Sequence, residues 1–128
     1  MGRDIEPEVI RRLRAALAGQ IKAPLAVSAK GHQYFFDEDS AAYSDIDVKH
    51  GEAFAVVVVQ GALPSEELIV RIWHRFADEV WLVDRSDEMI SIIPRKGLIH
   101  VFAVGETLRS ERLPEVEVAI ADVFGIAN

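Results

Sequence analysis

The sequence predicts an α/β protein, a central mixed β-sheet flanked by helices, and three observations carry that reading. The run Ala53–Gln60 is β-branched and unbroken, as a central strand covered on both faces would be. A second apolar run, Val80-Trp81-Leu82-Val83, follows one helix later. Strand, helix and strand in succession predict a crossover unit with parallel pairing. A length of 128 residues and an ordinary apolar content fit one domain spanning 1–128 with a core of its own.

The elements follow in order. Val9, Ile10, Leu13, Ala16 and Leu17 repeat with helical spacing. Pro7 suits a first turn and Gly19 a terminus, so a helix is predicted over 7–18. Pro24 opens a short strand over 25–29, and Gly31 separates it from Tyr34-Phe35-Phe36. Residues 45–48 alternate acidic with apolar side chains, as a strand with one wet face does. His50-Gly51 turns the chain into the central strand. After the loop Gly61-Ala62-Leu63-Pro64, Ser65 is expected to cap a helix with Glu66 and Glu67 in its first turn and Ile69, Ile72, Trp73 and Phe76 on its buried face. Residues 89–93 and 98–104 form a hairpin around Pro94-Arg95-Lys96-Gly97. Val116 and Val118 suggest a last short strand, and 120–124 a final helical turn. Trp73 and Trp81 are most simply core or interface aromatics.

Composition narrows the chemistry. The absence of cysteine excludes disulfides, a thiolate nucleophile and sulfur-ligated zinc or iron. The longest apolar run, 54–59, is far short of the ~20 residues that span a bilayer, and the first residues lack the form of a secretory signal, so a cytoplasmic address and no membrane partner are expected. A net charge of −7 disfavours DNA in general, because affinity for phosphates comes from Lys and Arg. Arg3, Arg11, Arg12 and Arg14 nevertheless gather positive charge at one end, while Asp37 to Asp39 and Glu115 to Glu117 carry acidity elsewhere. These arginines read first as the solvated face of an amphipathic helix and second as a nucleic-acid-binding strip. The four histidines lie far apart without ligand spacing, and no phosphate-cradling glycine loop precedes a helix.

Several phrases resemble a known family. Glu79-Val80-Trp81-Leu82-Val83-Asp84 resembles the "EYWLVD" strand of the Uma-type restriction endonucleases, within the PD-(D/E)XK nuclease superfamily. Gly105-Glu106-Thr107-Leu108-Arg109-Ser110, then Leu113-Pro114 and the alternation through Val123-Phe124, resembles that family's ending. Ser44-Asp45-Ile46-Asp47-Val48 resembles its "PD-V-x-V" strand, and Val57 to Ser65 its "V-V-E-V-L-S-P-S" segment. The likeness is strongest over 79–124. It implies a restriction-endonuclease-like fold and a site in which an Asp on one strand and a Glu on the next hold Mg²⁺ while a Lys activates water.

The chain keeps that site only in part. Asp45 stands where the resemblance implies the first metal ligand, and strand alternation predicts that Asp47 faces the same side. Gln60 stands where the family has its Glu, and an amide oxygen cannot help to neutralise a divalent ion. No lysine occurs between Lys49 and Lys96, so the second helix offers only Arg71 and Arg75, which cannot give up a proton. Asp45, Gln60 and Arg71 are thus candidate vestigial catalytic residues, and Asp45 and Asp47 the candidate metal ligands. The sequence therefore points to a catalytically degenerate relative. Two rivals stand beside it: an active Mg²⁺-dependent DNA endonuclease that recruits Glu8, Glu52, Glu66 or Glu67, and a non-catalytic interaction module, for example a homodimer joined through the apolar strand and hairpin surface.

Overall fold

The computed structural model describes residues 6–36, 38 and 41–126; Arg3, Asp37 and Asp39 lie outside them. In chain order the elements are α1 (Glu8–Gln20), β1 (Leu25–Val27), β2 (His32–Phe35), β3 (Ala41–Ser44), β4 (Ile46–His50), β5 (Ala53–Gln60), α2 (Glu67–Trp73), β6 (Ala77–Asp84), β7 (Met89–Pro94), β8 (His100–Ala103), β9 (Thr107–Arg109), β10 (Glu117–Ala119) and α3 (Ile120–Phe124). Six strands form the main sheet in the order β1-β4-β5-β6-β7-β8. Only β5 and β6 run parallel in it; α2 is the crossover that lets them do so. β2 with β3 and β9 with β10 make two small antiparallel ribbons.

Strand alternation divides the interior into two cores. Val56 and Val58 of β5, with Trp81 and Val83 of β6, face α1, α3 and the tail, where Ile10, Leu13, Leu108 and Leu113 are fully buried. Val57 and Val59, with Val80 and Leu82, face α2 and the β2–β3 ribbon. This second core is strongly aromatic. Trp73 packs edge-on against Tyr34, Phe36 and Phe54, and its indole N–H donates to the Tyr43 carbonyl at 3.0 Å.

Several expected boundaries move: the strand expected over 25–29 ends at Val27, that over 98–104 spans only His100–Ala103, and Phe76 lies beyond the second helix, while three further shifts have a local reason. Gly19 does not end α1, which runs on to Gln20. The Gln20 amide donates to the Glu117 carbonyl at 2.9 Å and accepts from the Glu117 N–H at 2.8 Å, so docking of the tail holds the last turn. Ser65 does not cap α2: it lies in a turn, Glu66 holds the cap position, and no side chain caps the helix. Of the face expected for that helix, Trp73 is buried and Val70 joins it, whereas Ile69 and Ile72 are only partly covered. Finally, the strand expected over 45–48 begins at Ile46. Asp45 sits at the corner where the chain leaves the β2–β3 ribbon for the main sheet, its N–H donating to the Val58 carbonyl at 2.7 Å.

Candidate functional site

The corner at Asp45 and the end of β5 meet because β4 and β5 are antiparallel neighbours, which brings the start of one beside the finish of the other. Asp45 is nearly buried, and its Oδ2 accepts the Gln60 backbone N–H at 2.9 Å. The Gln60 side-chain amide points its Nε2 at Asp45 Oδ1, at 3.4 Å. Its Oε1 in turn accepts from Arg85 Nη1 at 3.3 Å. Asp45, Gln60 and Arg85 therefore form a chain of polar contacts linking the corner before β4, the end of β5 and the turn after β6.

Arg85 did not emerge from the sequence, although a signal was present. In the parallel pair, Gln60 lies opposite Val83, so the residues that follow β6 must emerge beside the end of β5. Arg71, the arginine expected there, pairs instead with Glu67 one helical turn away at 3.3 Å and is largely exposed. It lines a shallow pocket of about 370 Å³ with Leu63, Pro64, Glu67, Val70 and Ile93.

The Asp47 carboxylate is engaged away from Gln60. It is essentially inaccessible, and its Oδ2 accepts the Tyr34 hydroxyl at 2.5 Å and lies 3.8 Å from His32 Nδ1. Among the described residues its other oxygen has no hydrogen-bond partner, nor has the buried Ser44 hydroxyl. Burial first, and then the hydrogen bond and negative charge of Asp47, hold the Tyr34 phenol well above its ordinary value. The expectation that Asp45 and Asp47 act together rested on alternation along one strand, and the corner at Asp45 removes that premise.

The proposed substitutes are placed as follows. Glu8 pairs with Arg11 and Arg12, and Glu67 with Arg71. Glu66 folds over Gly61, the residue after Gln60: a Cβ at 61 would lie 2.3 Å from Glu66 Cγ, and Gly61 has φ +140°. Among the described residues, no three of His, Asp and Glu converge as a metal-binding group. Mg²⁺ requires several hard oxygen donors. Here Asp45 faces N–H groups and the Gln60 oxygen faces a guanidinium, so the residues present do not fit the ion, and no hydrolytic step is derived through it.

The basic strip is also occupied from within. Arg14 is mostly buried, with Nε donating to the Ser28 carbonyl at 2.9 Å, Nη2 to the Asp45 carbonyl at 2.5 Å, and Nη1 paired with Glu6. It is a brace between α1 and the Asp45 corner, which neither sequence reading of it anticipated. Arg11 and Arg12 remain exposed, both beside Glu8.

A third buried carboxylate, Glu79, lies on β6. Glu79 Oε1 accepts from Trp81 Nε1 at 3.0 Å and Ser110 Oγ at 2.7 Å, and Oε2 accepts the Arg112 N–H at 3.3 Å. Ser110 Oγ accepts the Leu113 N–H at 3.0 Å. This knot ties the sheet to the tail.

No family model and no curated protein matches the sequence. Among solved structures, the fold is similar to the crystal structure of a putative nuclease belonging to DUF820 from Anabaena variabilis, with a TM-score of 0.76 over 94% of this chain and 80% of that one, at 11% identity. No described helix is long and apolar enough to cross a membrane. What is shared at this identity is architecture, and the chain has the restriction-endonuclease-like fold: a central mixed sheet with helices on its faces.

Proposed function

We propose that this chain is a divergent member of the Uma-type family that keeps the nuclease fold and has lost phosphodiester hydrolysis. One observation carries the reading. At the position of the family's second carboxylate, Gln60 turns its amide nitrogen toward Asp45 and gives its oxygen to Arg85. A hydrolytic centre needs that position to add negative charge around a cation; here it adds a hydrogen-bond donor and recruits an arginine. The missing lysine supports the same conclusion, since an arginine cannot serve as the proton acceptor. Without hydrolysis, the domain's role is one of binding, and its net charge of −7, with Arg11, Arg12 and Arg14 beside Glu8 and Glu6, favours a protein partner over DNA.

The rival reading, an active Mg²⁺-dependent endonuclease, has one observation in its favour, the placement of Glu66 beside the end of β5. Incubation of purified protein with supercoiled and linear DNA across Mg²⁺ and Mn²⁺ concentrations separates the two. We expect no cutting. Metal-dependent cutting that disappears in both Asp45→Asn and Glu66→Gln would establish the rival and end the proposal.

A further inference from the structure

β8 is an outer strand of the main sheet, and its free edge has an unusual make-up. Residues 97–105 contain no Lys, Arg, Asp, Glu or Pro, the residues that ordinarily guard an edge against further pairing. Leu98, Ile99, Val101 and Val104 are all exposed around it.

The direction of the backbone groups follows from the ladder. Residues of an antiparallel edge strand alternate between bonding the neighbour and facing outward. Ala103 faces outward: its N–H donates to Glu106 Oε1 at 2.8 Å, and its carbonyl accepts the Glu106 N–H at 3.0 Å. Val101, two residues back, therefore also turns its N–H and C=O outward, and His100 and Phe102 bond β7. The far side of β7 agrees. Pro94 opposes Glu79 of β6 and has no N–H to give, so Ile90 and Ile92, of the same parity, face Phe102 and His100.

Charge then selects the occupant. Lys96 stands at the start of β8 beside Arg95, which also pairs with Asp78, whereas Asp87, Glu88 and Glu106 gather at its end, because Met89 pairs with Ala103. The edge is thus basic at one end, acidic at the other and uncharged between. An antiparallel copy of the same edge sets basic against acidic twice, whereas a parallel one sets like against like.

We propose that two copies of this chain join edge to edge, β8 against β8, about a two-fold axis at Val101. The two Val101 residues exchange both backbone hydrogen bonds, and Ile99 lies opposite Ala103 of the second copy. Glu106 caps Ala103 in the single chain; on pairing it leaves that N–H to the incoming strand and lies at the end where Lys96 of the second copy arrives. The contact is isologous, so it closes as a dimer and does not propagate. The inference is independent of whether the domain cuts DNA.

The test is sedimentation velocity on the full chain from sub-micromolar to hundreds of micromolar, on wild type, Val101→Pro and Lys96→Glu. Wild type is expected to pass from monomer to dimer. Val101→Pro should stay folded by circular dichroism, since its N–H bonds nothing in β7, and should remain monomeric. Lys96→Glu should raise the dissociation constant roughly tenfold, because each of two symmetric contacts changes from attraction to repulsion. Adding Glu106→Lys to it should recover part of that loss. A wild type that is monomeric throughout, that forms open-ended aggregates, or whose dimer survives Val101→Pro overturns the proposal. If Val101→Pro fails to fold, Lys96→Glu decides, and a dimer it leaves unweakened overturns the proposal equally.

Discussion

Replacing Glu79 with alanine should be among the most damaging single changes in the molecule, although the residue is charged and lies far along the chain from Asp45. The carboxylate accepts three hydrogen bonds, and its removal leaves the Trp81 indole N–H and the Ser110 hydroxyl without the acceptor they share. Both residues are buried. A buried donor stripped of its partner costs ~1–3 kcal/mol, so the two together predict a loss of ~2–6 kcal/mol. Glu79→Gln keeps an amide oxygen for Trp81 and Ser110 and meets only the long Arg112 contact with an N–H, so ~1 kcal/mol is expected. Urea unfolding followed by tryptophan fluorescence measures both, and Trp81 reports on the knot directly. The reasoning fails if Glu79→Ala costs under ~1 kcal/mol, or no more than Glu79→Gln.

Three further outcomes are expected. The Tyr34 phenol titrates higher in the folded protein than its ordinary value of 10.0, so its contribution to stability is complete below about that pH and is lost as pH rises toward the folded-state value; Tyr34→Phe should flatten the alkaline limb of a stability–pH curve, and an unchanged limb refutes the assignment. Gly61→Ala meets both a positive φ and the Glu66 side chain, and should lower stability by ~1–3 kcal/mol in thermal or urea unfolding, with Glu66→Ala in the same chain recovering part of the loss. Gln20→Ala removes the paired bonds to the Glu117 backbone at an exposed site; a cost of ~1 kcal/mol and faster amide exchange at Glu117 are expected, and unchanged exchange there would show that the tail docks without it.

What the sequence disclosed tracks how local the deciding interaction is. β5, β6 and their parallel pairing were legible because both strands are apolar on both faces and a helix-length segment separates them. β3 and β9 were not: each is three or four residues long and pairs with a single partner, too little for a pattern to show. At the candidate site, Asp45 and Gln60 lie together, Arg85 was not foreseen because it depends on register between two strands, and the carboxylate of Asp47 is engaged by Tyr34 instead. The strongest part of the family resemblance has a plain structural basis here. Glu79 of the "EVWLVD" phrase bonds Ser110 of the closing phrase, and Ser110 bonds the N–H of Leu113. The phrases that resemble the family most closely are the two halves of one buried knot, whereas the phrases that would carry chemistry resemble it less.

The arrangement of the main sheet also grades its resistance to opening. The parallel pair β5–β6 lies at the middle, with two antiparallel strands on either side. Fraying from β1 or β8 breaks hydrogen bonds at the margin and leaves the centre intact, so local fluctuations there cost little, whereas the amides of 57–60 and 80–83 exchange only when the whole domain unfolds. The corner at Asp45 hangs on that centre through the Val58 carbonyl and the Gln60 N–H. The hydrogen-bond chain at Gln60 is thereby tied to the middle of the sheet, and its geometry should persist through excursions that open the edges.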